Sequence, residues 1–256
     1  MRIVETHAHL DFEAFDGDRD QVLERARGAG VAAFVNVAIQ PDAAAATLAL
    51  ADAHPDVYAS VGIHPHEASR WSAKIAEAVE SLQRLARHPK VVSLGEMGLD
   101  FYRDYAPADA QYAVFEAQLA LAVQLKLPVI IHCRAAYDQV LARLKPLPGE
   151  RVLLHCFSGE DHAAECAERG YYIGIGGVIT YPSAGPLRRV VEAYPRDRVV
   201  VETDCPFLAP QPRRGRRNEP AYLTWVIEAL GRLWGVPAPE AAEITTRNAS
   251  RFFGWG

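Results

Sequence analysis

The chain has 256 residues, a formal net charge of −5, half of its residues hydrophobic and 23% charged. This composition excludes a disordered chain and a basic surface that coats nucleic acid broadly. Four cysteines without a CxxC pair exclude a secreted disulfide framework, and no apolar stretch approaches the ~20 residues of a membrane span. We therefore predict a cytoplasmic protein without membrane contact, whose contacts with nucleic acid involve few phosphates.

Short apolar runs alternate with longer helical patterns along the chain. The runs predict strands at residues 3–7, 32–37, 58–62, 91–96, 128–132, 152–155, 172–176 and 199–202. Helices are predicted at 19–29, 42–53, 72–87, 109–125, 136–144, 161–169, 186–194 and 220–234, with a further helical region near 239–252. Nearly continuous Val, Ile and Leu indicate parallel strands covered on both faces. Eight strand–helix units favour the α/β class, a single (β/α)8 TIM barrel spanning residues 1–256 as one domain.

Side chains that bind metals fall at the C-terminal ends of the predicted strands. Barrel enzymes assemble their active sites on that face, so the repeated placement predicts a metal-dependent hydrolase. His7 and His9 are two residues apart and project to the same side of an extended strand. The candidate ligands from five strand ends are His7, His9, Glu96, His132, His155 and Asp204.

Neighbours of these residues support the same interpretation. Glu202 shares the strand parity of Asp204, one step deeper, which favours a role in orienting a ligand; a purely structural carboxylate network is the alternative. Three cysteines, Cys133, Cys156 and Cys205, each directly follow a proposed ligand and should face the opposite way. We predict that they are small buried residues with no chemical role.

Six short segments occur in a specific order. They are HAHLD at 7–11, GIHPH at 62–66, GEMGLD at 95–100, PVIIHCR at 128–134, HCFSG at 155–159 and ETDCP at 202–206. This ordered set resembles the TatD-family metal-dependent deoxyribonucleases of the amidohydrolase superfamily, over essentially the whole chain. The segment RGRRNEP at 214–220 resembles the basic loop of that family, with Arg216 where Lys is more usual.

The resemblance implies two divalent ions. One ion would be bound by His7, His9 and Asp204 and the other by His132 and His155, with Glu96 bridging them. Two ions ~3.5–4 Å apart can clamp a phosphoryl group and generate hydroxide. Four imidazoles with two carboxylates suit Zn or Mn better than an all-oxygen cage, but phosphate oxygens would also allow Mg, so the metal stays open.

Several residues are candidates for substrate contacts. Arg134 follows His132 by two residues and could bind a phosphate, or else pair with a neighbouring loop. His64, in the GIHPH segment, is a candidate to neutralise a phosphate or protonate a leaving oxygen. Phe101, Tyr102 and Tyr181 could stack on bases. The basic loop contributes Arg214, Arg217 and Asn218.

The function predicted first is hydrolysis of phosphodiester bonds in DNA, as an exonuclease on single-stranded ends. Asp204 would orient the attacking water, while Arg134 and His64 hold the phosphate and Glu96 and Glu202 complete the catalytic group. The enzyme alternative is a D-aminoacyl-tRNA deacylase or another ester or amide hydrolase, since the same metal-bound hydroxide can attack a carbonyl. A metal-bound interaction module without activity is the non-enzyme alternative. Metal identity, cleavage polarity and oligomeric state stay open.

Overall fold

A computed structural model describes residues 1–103 and 105–255, and it contains all eight predicted strands in the order β1 to β8. The strand bounds are β1 Ile3–Ala8, β2 Val31–Ala38, β3 Val57–Val61, β4 Val91–Asp100, β5 Val129–Arg134, β6 Val152–Leu154, β7 Tyr172–Ile175 and β8 Val199–Val201. Nearly every residue of these strands is buried, as their continuous apolar runs predict.

Helices separate the strands. They are α1 Arg19–Gly28, α2 Ala44–Ala53, α3 Ala68–Trp71, α4 Ile75–Leu85, α5 Ala108–Leu125, α6 Tyr137–Arg143, α7 Ala163–Glu168, α8 Gly185–Ala193, α9 Leu223–Trp234 and α10 Ala238–Phe253. Nine of them correspond to predicted segments with ends shifted by up to three residues, whereas the single turn of α3 was not predicted. In the described part of the chain, no helix combines the length and the hydrophobicity needed to cross a membrane.

The chain divides into two compact units. The first comprises residues 1–36 and those from 156 onward. Within it β1 pairs in parallel with β2, β7 pairs in parallel with β8, and Ala8 forms a parallel bridge to Cys205. Helix α10 packs against both β1 and β8. The ends of β1 and β8 are therefore neighbours, although almost 200 residues separate them in sequence.

The second unit comprises residues 37–155. Its strands β3 to β6 pair in parallel, each with the next in the chain. The contact between β4 and β5 is so close that a Cβ atom on Gly98 would stand 1.9 Å from the carbonyl oxygen of His132. Gly98 also has a φ of +149°, which side chains rarely tolerate. Glycine therefore lets β4 continue beside β5 as far as the pair Asp100 and Arg134.

This continuation corrects one prediction. Glu96 was expected at the end of the fourth strand, but it lies inside β4, because pairing with β5 carries the strand on to Asp100. Three other strands are each one residue shorter than predicted: β6 ends just before His155, β7 just before Gly176 and β8 just before Glu202. The assignment of residues 1–256 to one domain stays a prediction.

Candidate metal centres

Three predicted ligands meet in the first unit, and we call them the first ligand set: His7, His9 and Asp204. The Nε2 atoms of His7 and His9 lie 3.3 Å apart. An Asp204 carboxylate oxygen is 3.4 Å from Nε2 of His9 and 3.8 Å from Nε2 of His7. Both histidines are buried, whereas the Asp204 side chain is 16% exposed. The set is compact and open to solvent at Asp204.

A buried carboxyl group that the sequence analysis missed holds the backbone of this set. One oxygen of Glu5 accepts hydrogen bonds from the amides of His7 (3.1 Å) and Thr203 (2.9 Å), and the other accepts from the Thr203 hydroxyl (2.6 Å). Burial raises the pKa of Glu5 to about 8, although these hydrogen bonds oppose the rise. Glu5 thus fixes the residue before Asp204 and the amide of His7; its parity with His7 on β1 was the available signal.

The second unit brings together the second ligand set: Glu96, His132 and His155. An oxygen of Glu96 lies 2.8 Å from Nδ1 of His132 and 2.7 Å from Nε2 of His155. Those two nitrogens are 3.4 Å apart. Nε2 of His64 is also close, 3.3 Å from Nδ1 of His132 and 3.4 Å from the Glu96 oxygen. One carboxylate oxygen and three imidazole nitrogens therefore converge on one small volume.

Both sets have the chemistry and spacing of metal ligands. A tetrahedral ion with ligands at ~2.1 Å holds its donor atoms ~3.4 Å apart. The separations of 3.3–3.8 Å in the first set and 2.7–3.4 Å in the second are close to that value. The nitrogens of His132, His155 and, outside the set, His64 all lie within 3.4 Å of a single Glu96 oxygen, more than hydrogen bonding requires. A divalent ion accounts for such a convergence, so the residues fit the group.

Asp100 is the second residue that the sequence analysis missed as part of the site. One oxygen lies 3.1 Å from Nε2 of His132 and 2.9 Å from Nε2 of His66, and the other accepts from the amides of Tyr102 and Arg103 (both 2.9 Å). Burial alone would raise the pKa of Asp100, but these hydrogen bonds outweigh it and hold the pKa below its ordinary value. Because Asp100 contacts the ring nitrogen opposite the convergent one, it fixes which nitrogen of His132 faces the ion.

His64 remains a candidate for substrate contact. Burial lowers its pKa to about 4, against the opposing effect of Glu96. Its Nδ1 accepts a hydrogen bond from the amide of His66 at 3.1 Å, so Nε2 carries the proton and is available as a donor. A neutral imidazole is suited to donate a hydrogen bond to a phosphate oxygen. It is less suited to supply a positive charge to the phosphate.

Glu202 lies deep in the first unit and is fully buried. One of its oxygens accepts a hydrogen bond of 2.5 Å from the amide of Cys156, the residue after His155 in sequence. Gly174 makes room for it, since a Cβ atom there would stand 2.1 Å from the other Glu202 oxygen. These contacts support a positioning role rather than a ligand role. Of the three flanking cysteines, Cys133 and Cys205 are buried as predicted, whereas Cys156 is half-buried.

Arg134 is exposed at the end of β5, and its guanidinium lies 4.0 Å from the centre of the Tyr102 ring. Tyr102 is 63% exposed and Phe101 36% exposed, so both can meet a ligand. Tyr181 cannot in the same way: it is buried, and its hydroxyl donates to the carbonyl of Ala209. Base stacking by Tyr181 is therefore not supported, because its ring is enclosed.

The basic loop contains two kinds of residue. Arg217 is bound by Asp18, with two N–O distances of 2.7 Å, and Asn218 is fully buried. The Asn218 amide donates to the carbonyls of Thr203 (2.8 Å) and Phe207 (2.7 Å). Arg214 is exposed and lies 4.0 Å above the Tyr181 ring. The substrate roles of Arg217 and Asn218 stay predictions, and the structure gives both residues partners within the protein.

A parallel α/β fold with histidine and carboxylate sets on and just after its strands defines a metal-dependent hydrolase. A family model described as "TatD related DNase" matches residues 4–254. The chain therefore belongs to the TatD-related DNase family, as the order of its motifs predicts.

Similar proteins from several organisms support the same family assignment. The protein named 3′-5′ ssDNA/RNA exonuclease TatD of Erwinia tasmaniensis is 41% identical over 254 residues, covering 96% of this chain and 97% of that one. The metal-dependent hydrolase YabD of Bacillus subtilis is 39% identical over 254 residues, covering 98% of each. The crystal structure of YJJV, a TatD homologue from Escherichia coli, matches with a TM-score of 0.92 and 35% identity, over 100% of this chain and 99% of that one. This match confirms the predicted (β/α)8 barrel class.

Proposed function

We propose that the protein is an exonuclease that uses two divalent ions to remove nucleotides from single-stranded ends of DNA. The observation that carries the proposal is the pair of ligand sets, each with donor atoms at the spacing that a metal ion requires. The similarity to a protein named for 3′-5′ cleavage of single-stranded DNA and RNA supports both the polarity and the choice of single strands.

The first ligand set would hold one ion and the second ligand set the other, with Glu96 serving both as the family resemblance implies. When bound, the ions supply Lewis-acid activation of the phosphate and a nucleophilic hydroxide at neutral pH. The donors would accept Zn, Mn or Mg, because phosphate oxygens complete the coordination.

The chain's own residues orient the substrate and the proton donors. Arg134, exposed beside Tyr102, can place its planar guanidinium on two phosphate oxygens. His64 can donate from Nε2 to a non-bridging or leaving oxygen, because His66 fixes its other nitrogen as the acceptor. Asp204, the least buried member of its set at 16% exposure, is placed to accept a proton from the attacking water. Glu202 acts at a distance by fixing the backbone at Cys156.

The test is cleavage of end-labelled oligonucleotides by metal-free protein to which Mg²⁺, Mn²⁺ or Zn²⁺ is returned. We expect stepwise shortening from the 3′ end of single strands, slower cleavage of blunt duplexes, and no cleavage in chelator. Arg134→Ala should raise KM, whereas Lys145→Ala should match the unsubstituted protein.

Internal cuts without terminal shortening would contradict the exonuclease assignment. The aminoacyl-ester alternative predicts metal-dependent release of a D-amino acid from tRNA by the same preparation, with no shortening of DNA. The family match does not favour this alternative, nor does it favour a protein without activity.

A cytoplasmic location also stays a prediction.

A further inference from the structure

An aromatic surface adjoins the first ligand set, and we infer that Phe12 and Phe207 form a stacking platform for the nucleobase at the end of the substrate strand. The inference rests on the proposed nuclease function and adds a binding site for a specific part of the substrate. Nothing in the ligand sets themselves recognises a base.

The exposure of Phe207 is the first observation. Phe207 is 51% exposed, one of the few large hydrophobic residues among those described that is exposed to this degree. A single exposed apolar residue is ordinary. This one is distinguished by its neighbours, because its ring meets two other aromatic rings instead of standing alone.

The three rings form a contiguous aromatic cluster that includes a candidate metal ligand. The Phe12 ring lies 4.8 Å from the His9 ring at an interplanar angle of 22°. The Phe207 ring approaches Phe12 edge-on, at 6.2 Å and 77°, and lies 6.4 Å from the His9 ring. Because His9 belongs to the first ligand set, a base resting on these rings belongs to the nucleotide next to the reacting phosphate.

The platform is held in place by hydrogen bonds on its backbone. The amide of Phe207 donates to the carbonyl of Asp204 at 2.9 Å, and its carbonyl accepts from the Asn218 side chain at 2.7 Å. The amide of Asn218 in turn donates to the carbonyl of Pro206 at 3.0 Å. A ring presented on a fixed backbone loses little freedom when a ligand binds. Asn218 therefore acts as a positioning residue for Phe207, which explains its burial.

Stacking of this kind selects bases by surface area and not by sequence. Every nucleobase has a π-face, so an aromatic platform tolerates all four while favouring purines. The terminal base can rest on the platform only after it has left its neighbouring base. An unpaired base leaves more easily than a paired one, so the platform favours single-stranded ends. The same rings would contribute nothing to a terminal sugar without a base.

The experiment compares two single-stranded oligonucleotides that differ only at the 3′ end, one with adenine and one with an abasic residue. We expect Phe207→Ala to raise KM for the adenine end by about tenfold, the effect typical of a lost base stack, with kcat nearly unchanged. KM for the abasic end should not change. Phe207→Trp should preserve the difference between the two ends, and Leu208→Ala, a change at the neighbouring exposed residue, should leave both values as they are.

A second measurement does not depend on activity. In chelator, the additional indole of Phe207→Trp should be quenched by an adenine-ended trinucleotide and not by the abasic-ended one, relative to the unsubstituted protein. Equal responses to both ends in either measurement would overturn the platform. If both strands are cleaved normally with no effect of Phe207→Ala, the platform fails and the nuclease function stands. If neither strand is cleaved, the nuclease function fails, and the fluorescence measurement decides the platform by itself.

Discussion

The two ligand sets are built by different means. In the second ligand set the carboxylates touch the imidazoles directly: Glu96 lies within 2.8 Å of two histidines, and Asp100 contacts the far side of His132. In the first ligand set no such close contact occurs between the described side chains of its three members, whose separations are 3.3–3.8 Å. There the supporting carboxyl group, Glu5, binds backbone amides instead.

This difference predicts that the two ligand sets bind their metal ions with different affinities. In the second ligand set Glu96 and Asp100 hold the His132 ring from both sides, and a ligand oriented in this way loses less freedom when an ion binds. The second ligand set should therefore bind its ion more tightly, and the first should exchange its ion more readily. Titration of metal-free protein should show two classes of site.

The largest effect is expected at Glu96, because it is the carboxylate on which three imidazoles converge. Glu96→Gln keeps the shape and removes the charge, and we expect activity to fall by more than ~100-fold, beyond the losses typical of supporting residues. Elemental analysis should show less than one ion per chain if Glu96 serves both. The control Glu150→Gln, at an exposed position of the same unit, should retain full activity and metal content. Retention of one full ion would limit Glu96 to a single site.

Within the first unit, ligand and support can be separated. Asp204→Asn should reduce activity by more than ~100-fold and abolish the weaker class of metal binding, because it removes a donor. Glu202→Gln should cost roughly 10–100-fold, since Glu202 acts through the amide of Cys156 and not on an ion. Metal binding and kcat measured on the same preparations check this order. Equal losses with intact metal content would assign Glu202 a direct part in the reaction.

A substitution at Asp100 tests whether this residue orients His132 in the second ligand set. Asp100→Asn should weaken binding of the tighter ion roughly 10–100-fold and leave the weaker class unchanged, because only the orientation of His132 is disturbed. Calorimetric titration of metal-free protein with Zn²⁺ measures both classes. Asp109→Asn, an exposed change nine residues on, is the matched control. Weakening of both classes alike would indicate a general loss of structure.

The smallest effects are expected for two arginines of the basic loop, one acting on substrate affinity and the other on stability. Arg214 is exposed without an ion pair among the described residues, so Arg214→Ala should raise KM for oligonucleotides and reduce the log–log salt slope by about 0.7, with kcat unchanged. Arg217→Ala should instead lower Tm by about 2–4 °C, corresponding to ~1 kcal/mol, because it breaks the pair with Asp18. An unchanged Tm for Arg217→Ala would contradict this division.

Acid should remove the stabilisation of the fold by the Arg217–Asp18 ion pair. Hydrogen bonds from Arg217 lower the pKa of Asp18 from 3.8 to about 2 in the folded protein. A carboxyl group with a lowered pKa stabilises the fold above its unfolded value and loses that contribution as the pH falls through the folded value. The difference in unfolding free energy between the unsubstituted protein and Arg217→Ala should therefore shrink between pH 4 and pH 2. A constant difference over that range would remove Asp18 from the explanation.

The sequence by itself determined the barrel class and the order of the strands and of every helix named above except α3, and it proposed six ligands whose roles stay predictions. Continuous apolar runs identify buried parallel strands, and the chemistry of metal binding limits the ligands to a few residue types on or just after those strands. Residues close in sequence, such as His7 and His9, are also related by the simple geometry of an extended chain.

Only the tertiary structure decided the roles of residues whose partners are distant in sequence. Glu5 and Thr203, Arg217 and Asp18, and Asn218 and Phe207 meet because β1 and β8 are neighbours in the fold. Asp100 became part of the site because β4 continues past Glu96 along β5. A carboxylate or an arginine looks the same in sequence whether it meets a ligand, another side chain or water. The physical reason is that hydrogen bonds and ion pairs depend on distances of a few ångström, which chain folding sets and local sequence patterns do not.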